Sequence, residues 1–268
     1  MAADRYQAMF SRLAEEQRGA FVPFVMLGDP DKATSIEIIS ALVDGGADAL
    51  ELGFPFSDPI ADGPVIQKAG IRALANKIHQ QDCFEILSEI RRRHPQTPIG
   101  LLLYSNLVFH TGLDAFYAKA AQAGVDSVLL ADVPLREAEI FQQTAQAHNI
   151  HHILIAPPNA DDEALKQIAS QSSGYIYLLG RAGVTGTETA ANAPVKAMVD
   201  KLSVYKGAPS VIGFGISNPA QVKAAIGDGA AGAIAGSATV KIIEQHLHDV
   251  PAMLSALKAF VAEMKSAT

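Results

Sequence analysis

Short apolar runs alternate with amphipathic helical patterns at least seven times along this chain, and no Pro/Ser-rich linker interrupts them. The strand candidates fall at 22–27, 49–52, 99–103, 127–131, 153–156, 175–179, 210–213 and 232–235. Each is a near-continuous apolar run, which is the mark of a strand buried on both faces and hence of a parallel sheet. Helical periodicity lies between them at 34–43, 65–75, 83–92, 113–123, 137–148, 162–170, 195–205 and 219–227. A last helix is expected from 239 to 264, broken near Pro251. Eight such units close naturally into a (β/α)8 TIM barrel, with a doubly wound open sheet as the alternative. A barrel of about 250 residues uses the whole chain, so residues 1–268 read as one domain, with a helix over 4–16 capping the N-terminal mouth.

Three segments look alike: Gly45-Gly-Ala-Asp-Ala49, Ala123-Gly-Val-Asp-Ser127 and Asp228-Gly-Ala-Ala-Gly-Ala233. Each reads as a helix C-cap glycine followed by a small turn into the next strand, a weak internal repeat of the βα unit.

In a barrel, chemistry belongs to the C-terminal ends of the strands. Glu51 ends the second strand candidate, and the segment after it runs Leu52-Gly-Phe-Pro-Phe-Ser-Asp-Pro-Ile-Ala-Asp62-Gly-Pro64. One carboxylate thus sits on a rigid strand and a second, Asp62, in a constrained loop. Such a pair suits general acid/base work. The plainer alternative is a strand-end charge and a turn former. Glycine-bearing loops follow the sixth, seventh and eighth strands: Gly183-Val-Thr-Gly-Thr187, Gly213-Phe-Gly-Ile-Ser217 and Gly236-Ser-Ala238. Without a Cβ in the way, their backbone N–H groups can approach an anion, and helix N-termini add favourable partial charge. Gly186, Gly215, Gly236 and the Ser237 hydroxyl are therefore expected to hold phosphate, so the substrate is expected to be a small phosphorylated molecule.

The remaining composition narrows the classes. A net charge of −7 argues against nucleic acid as a ligand. The one basic run, Arg91-Arg-Arg93, fits a solvated helix C-terminus. One cysteine, Cys83, fits a reducing cytoplasm, and no leader or bilayer-spanning run is visible, so no membrane is expected. No His/Asp/Glu cluster has metal-ligand spacing on the catalytic face; His151-His152 start a strand, on the opposite end, and read as structural. No lysine ends a strand candidate, which disfavours Schiff-base chemistry. Gly213-Phe-Gly215 lacks the rest of a dinucleotide fingerprint.

Gly28-Asp-Pro30, the Glu51–Pro64 block, Ala131-Asp-Val-Pro134, Gly183-Val-Thr-Gly186 and Gly213-Phe-Gly-Ile-Ser217 resemble the tryptophan synthase alpha chain family, essentially end to end. The resemblance implies a TIM-barrel lyase that cleaves indole-3-glycerol phosphate to indole and glyceraldehyde 3-phosphate. It implies an α2β2 heterotetramer, with pyridoxal phosphate in the beta subunit, no cofactor in this chain, and indole passed through an internal tunnel. Glu51 and Asp62 become the catalytic carboxylates: Glu51 moving protons, Asp62 holding the indole N–H. Phe24, Leu102, Leu129, Tyr177 and Phe214 are expected around the indole, with Tyr177 also positioning Glu51, and Ile234 is expected to bind the substrate. Thr185 is expected to bond Asp62 when the sixth loop closes. Pro55, Asp58, Asn106 and Phe109 are expected to face the partner. Three positions depart from the family's usual residues: Phe54, expected to crowd the second loop; Gly180, expected to loosen the sixth; and His110, in the partner-facing segment. A stand-alone lyase and a weakly active allosteric barrel are the alternative readings.

Overall fold

The computed structural model describes residues 4–180 and 195–268. Among them nine parallel strands form one sheet: β1 (Ala20–Met26), β2 (Leu50–Gly53), β3 (Ile99–Leu103), β4 (Ser127–Leu130), β5 (His151–Ile153), β6 (Ile155–Ala156), β7 (Ile176–Leu179), β8 (Ser210–Gly213) and β9 (Gly232–Ala235). β1 pairs with both β2 and β9, so the sheet curls back on itself. Its two outer strands, β5 and β6, are consecutive pieces of one stave broken at Leu154. There Leu154 donates its N–H to the Ser172 hydroxyl at 3.1 Å, while its carbonyl accepts from the Tyr177 N–H at 3.0 Å. Eight staves therefore close the (β/α)8 barrel, and the expected strand at 153–156 is the later part of a longer broken one.

Strand periodicity of two sorts the side chains into two cores. Val22, Phe24, Met26, Leu129, Ile153, Tyr177, Val211 and Ile234 fill the barrel. Phe21, Val25, Leu50, Leu52, Val128 and Leu130 face outward into the helical shell. That shell begins with α1 (Arg5–Glu15), whose Tyr6, Met9 and Leu13 plug the N-terminal mouth as expected. It continues through α2 (Lys32–Asp44), α3 (Pro64–Ala75), α4 (Gln80–Arg93), α5 (Ser105–Thr111), α6 (Leu113–Gln122), α7 (Glu139–Ala147), α8 (Asp162–Gln171), α9 (Val195–Val204), α10 (Pro219–Gly227), α11 (Ser237–Gln245) and α12 (Val250–Ser266). The break expected near Pro251 lies just before it, since Pro251 stands in the first turn of α12, where its missing N–H costs nothing. α5 has no counterpart among the helical patterns. At seven residues it is too short to display a helical period.

The internal repeat has a structural cause. Gly46, Gly124 and Gly229 adopt φ of 102°, 79° and 93°, the left-handed conformation that ends a helix and that a Cβ disfavours. Two residues later, the buried Asp48 and Asp126 carboxylates accept N–H bonds from Phe21 and Ile99 of the neighbouring strands, at 2.9 and 2.8 Å. Arg12 and Lys265 neutralise Asp48; Arg5 and Arg91 neutralise Asp126. In the third copy Ala231 takes the place of the aspartate. The basic run is thus only partly a solvated helix end, because Arg91 is an internal brace.

Phe54 points into the shell, stacked edge-on against Phe84 and Phe116 at 5.4 and 6.1 Å, and does not crowd the second loop. Gly180 is buried and extends the β7–β8 ladder by donating to the Gly213 carbonyl at 2.9 Å, which leaves no loosened hinge at that residue. His110 is exposed at the end of α5. Among the described residues no helix is long and apolar enough to cross a membrane.

Candidate active site

Leu50 and Leu52 face the shell, so the residue between them must face the barrel. Glu51 accordingly lies inside, only 2 % exposed. Its Oε1 accepts the Tyr175 hydroxyl at 3.1 Å. Burial pushes its carboxyl up to about 8, against the opposing pull of that hydrogen bond, so near neutral pH Glu51 carries its proton. The positioning tyrosine is therefore Tyr175 rather than Tyr177. The two lie on the same face of one strand, and Tyr175, one residue before β7, reaches the carboxyl from below. Tyr175 packs on Tyr6 at 5.5 Å, and Tyr6 bonds Ser127 at 2.9 Å, so the base of the site rests on the plug helix.

Asp62 comes from the loop between β2 and α3. Its N–H donates to the Pro59 carbonyl at 3.1 Å, and its carbonyl accepts the Gln67 side-chain amide at 2.7 Å. Two residues later α3 begins with Pro64. Arg72 of that helix grips the buried Asp29 carboxylate with two bonds of 2.8 and 2.7 Å, which fixes α3 to the turn after β1 and gives Gly28-Asp-Pro30 a structural role. Burial raises the Asp62 carboxyl to about 6, opposed by polar contact with Tyr104, so it is ionised at neutral pH where Glu51 is not. Two carboxyls whose environments drive them to opposite protonation states are the expected signature of divided acid and base roles.

Both carboxyls line one cavity of about 200 Å³. Phe24, Leu102, Tyr177, Phe214 and Ile234 form its apolar walls, joined by Ile66, Ile155 and Leu179, which the residue pattern did not single out. Leu129 is absent from these walls: it is buried deeper in the barrel core. Gly215, Gly236 and Ser237 lie on the same cavity. Phe214 and Gly215 both take positive φ, 66° and 91°, which for phenylalanine stores about 1–3 kcal/mol of strain. α11 starts at Ser237 with no side-chain cap, so its first N–H groups are available to an anion. The start of α10 is already satisfied: Gln221 takes the Ser217 N–H and hydroxyl at 2.8 and 3.0 Å, and Asn218 caps Gln221 at 3.0 Å. Thr185 and Gly186 lie outside the described residues.

Gly213 explains one wall. A Cβ there would sit 2.0 Å from the Tyr177 hydroxyl and 2.3 Å from the ring carbon bearing it, so the phenol depends on the glycine. Gly213→Ala is expected to drive Tyr177 into the cavity and raise KM for a cavity ligand about tenfold or more, the scale of a misfit side chain in a packed site. Adding Tyr177→Val should recover part of the loss; an unchanged KM in the single variant would detach this wall from binding.

On the outer surface, Asn106 is exposed and Phe109 is 55 % exposed on α5. Asp58 is exposed in the second loop, where Ile60 is 76 % exposed. Pro55 is buried within the chain and does not present the surface expected of it. His151 pairs with Asp4 at 3.1 Å, while His152 is buried and held neutral, pushed down to about 4 by burial. Among the described residues no group of three or more His, Cys, Asp or Glu side chains could hold a metal.

The family model for the tryptophan synthase alpha chain matches residues 10–268. The chain is 60 % identical over 265 residues to a tryptophan synthase alpha chain of Escherichia coli, covering 99 % of each. It is 60 % identical over 266 residues to that of Shewanella oneidensis, covering 99 % of this chain and 96 % of the other. Among solved structures, the Legionella pneumophila tryptophan synthase subunit alpha superposes with a TM-score of 0.87 at 31 % identity, over 99 % of this chain and 98 % of that one. A chain of the Pyrococcus furiosus tryptophan synthase complex gives 0.81 at 36 % identity, over 92 % and 97 %.

Proposed function

Because the chain belongs to the tryptophan synthase alpha chain family, we propose that its cavity cleaves indole-3-glycerol phosphate to indole and glyceraldehyde 3-phosphate, with Glu51 and Asp62 as the working carboxyls. The observation that carries this is the pairing of a protonated and an ionised buried carboxyl at one apolar cavity. Retro-aldol cleavage needs both states. The proton on Glu51 goes to indole C3, and the ring nitrogen takes up positive charge that the Asp62 carboxylate stabilises through the indole N–H. The hydroxyl on the carbon attached to C3 then returns a proton to Glu51. As it does so, its oxygen forms the aldehyde carbonyl, the carbon–carbon bond breaks, and that bond's electron pair restores the indole ring. Glu51 ends the cycle as it began. Tyr175 holds its carboxyl in place, and Gly215, Gly236 and Ser237 at the start of α11 anchor the phosphate at the far side.

The chemistry calls on no cofactor in this chain; pyridoxal phosphate serves the beta subunit's own reaction. The exposed Phe109 and Asn106 of α5, which follows β3, and Asp58 and Ile60 of the loop that carries Asp62 suit contact with a beta subunit. We read the chain as one domain acting in an α2β2 heterotetramer, and a cytoplasmic location fits its single buried thiol.

Cleavage of indole-3-glycerol phosphate, followed by release of glyceraldehyde 3-phosphate, tests the reading. The kcat/KM profile is expected to be bell-shaped: it falls below about 6, where Asp62 gains a proton, and above about 8, where Glu51 loses one. Strong acceleration by added beta subunit would support the heterotetramer; a fast solitary enzyme indifferent to it would favour the stand-alone lyase. Absence of cleavage under both conditions would overturn the reaction.

A further inference from the structure

Tyr104 was not singled out by any sequence pattern, yet it stands where the second loop meets the cavity. It follows β3 directly and is buried, 3 % exposed. Its hydroxyl oxygen accepts the Ala61 N–H at 3.1 Å, its ring stacks on Phe56 at 5.2 Å, and its phenol is in polar contact with the Asp62 carboxyl. One side chain thus meets the loop that carries Asp62 at three of its residues. The arm that bears this phenol is itself held from the loop after β4: Asp132 accepts both the N–H and the hydroxyl of Ser105, each at 2.8 Å. The same turn starts α5, which carries Asn106 and Phe109.

We propose that Tyr104 is the positioning residue of Asp62: the Asp132–Ser105 anchor fixes the phenol, and the phenol fixes the loop so that the Asp62 carboxylate faces the indole side of the cavity. With its lone pair occupied by the Ala61 N–H, the phenol directs its own proton toward the carboxylate and favours the charged form. Burial disfavours that form at both carboxyls, and at the less deeply buried Asp62 the phenol offsets part of it. Asp132, part of the Ala131-Asp-Val-Pro134 motif, acts one step further back and touches no substrate.

The inference rests on the role assigned to Asp62 above, and two readouts keep the two apart. Tyr104→Phe retains the ring stack and deletes only the hydroxyl. It is expected to lower kcat about tenfold to a hundredfold, the cost of a misplaced catalytic group. KM should stay within about threefold, since the phosphate grip is across the barrel. The acid limb of the rate profile should move to higher pH, because the contact that opposes burial has gone. The Asp62 carboxyl, followed by ¹³C NMR, should titrate at higher pH in the variant than in the parent; that measurement needs no turnover and so stands even if the reaction assigned here is wrong. 3-Fluorotyrosine at position 104, a stronger donor of nearly the same size, should move the titration the other way. An Asp62 titration unmoved by either replacement would overturn the proposal. So would a fall in kcat with the acid limb in place, which would mark Tyr104 as a merely structural support.

Discussion

Glu51→Gln is expected to lower kcat for the cleavage by roughly 10²–10⁴, the range that a positioned acid/base group supplies. Glutamine keeps the shape of the side chain and can still accept the Tyr175 hydroxyl, so the cavity and KM should change little. What it lacks is a transferable proton. The same variant reports on burial. In the fold the Glu51 carboxyl titrates near 8, against 4.5 as the ordinary value. Below about 4.5 both folded and unfolded chains carry the proton and the group costs nothing. As pH rises from there to about 8, the unfolded chain sheds its proton while the folded chain keeps it, so stability is progressively lost until the folded group also ionises. Glutamine does not titrate. Its variant should therefore gain stability over the parent between pH 5 and pH 9, by roughly 3–5 kcal/mol at full extent. Urea unfolding at the two pH values measures the gap. A kcat within tenfold of the parent would remove Glu51 from proton transfer, and a gap that does not widen with pH would mean the carboxyl is not held neutral.

Asp62→Asn is expected to bind substrate within a few-fold of the parent yet lose about 10²-fold or more in kcat. The amide can still accept the indole N–H, which preserves the ground state. It cannot balance the positive charge that appears only after C3 is protonated, so the loss falls on the transition state. The rate profile should also lose its acid limb near 6, since the group that titrates there is gone. Steady-state kinetics across pH gives both results. Near-normal turnover would leave Asp62 as the turn former that its loop position alone suggests. Combining Asp62→Asn with Tyr104→Phe should add little to the single loss of Asp62, because a positioning residue acts through the group it positions.

Much of this architecture is local and was legible in the residues. The apolar runs and helical periods mark the staves and most of the shell, because burial on both faces and burial on one stripe leave different periods in a chain. The inward aim of Glu51 follows from its two leucine neighbours, and the glycines at 46, 124 and 229 follow from the need to turn out of a helix. The placement of Gly215, Gly236 and Ser237 on the same cavity as the two carboxyls was readable in the same way. Short or broken elements escaped: α5 spans too few residues to show a period, and the fifth stave changes partner at Leu154 under the influence of a serine hydroxyl from another element.

Partnership across the barrel is a different kind of fact. Tyr175 and Tyr177 lie on the same strand face two residues apart, and no local rule tells which one reaches Glu51. The stagger of the staves decides it, joining residues 124 positions apart in the chain. Tyr104 meets Ala61 only because β3 lies beside β2 and the second loop folds back over its end. Pro55 and Phe54 belong to the interior for the same reason, because the position of the shell helices determines which loop residues they cover. By itself the sequence determined which residues are inward, outward or turning, since steric period and backbone conformation act over a few residues. Only the closed barrel decided which buried groups meet, and with that which carboxyl keeps its proton, because desolvation and hydrogen bonding at Glu51 and Asp62 come from side chains far away in the chain.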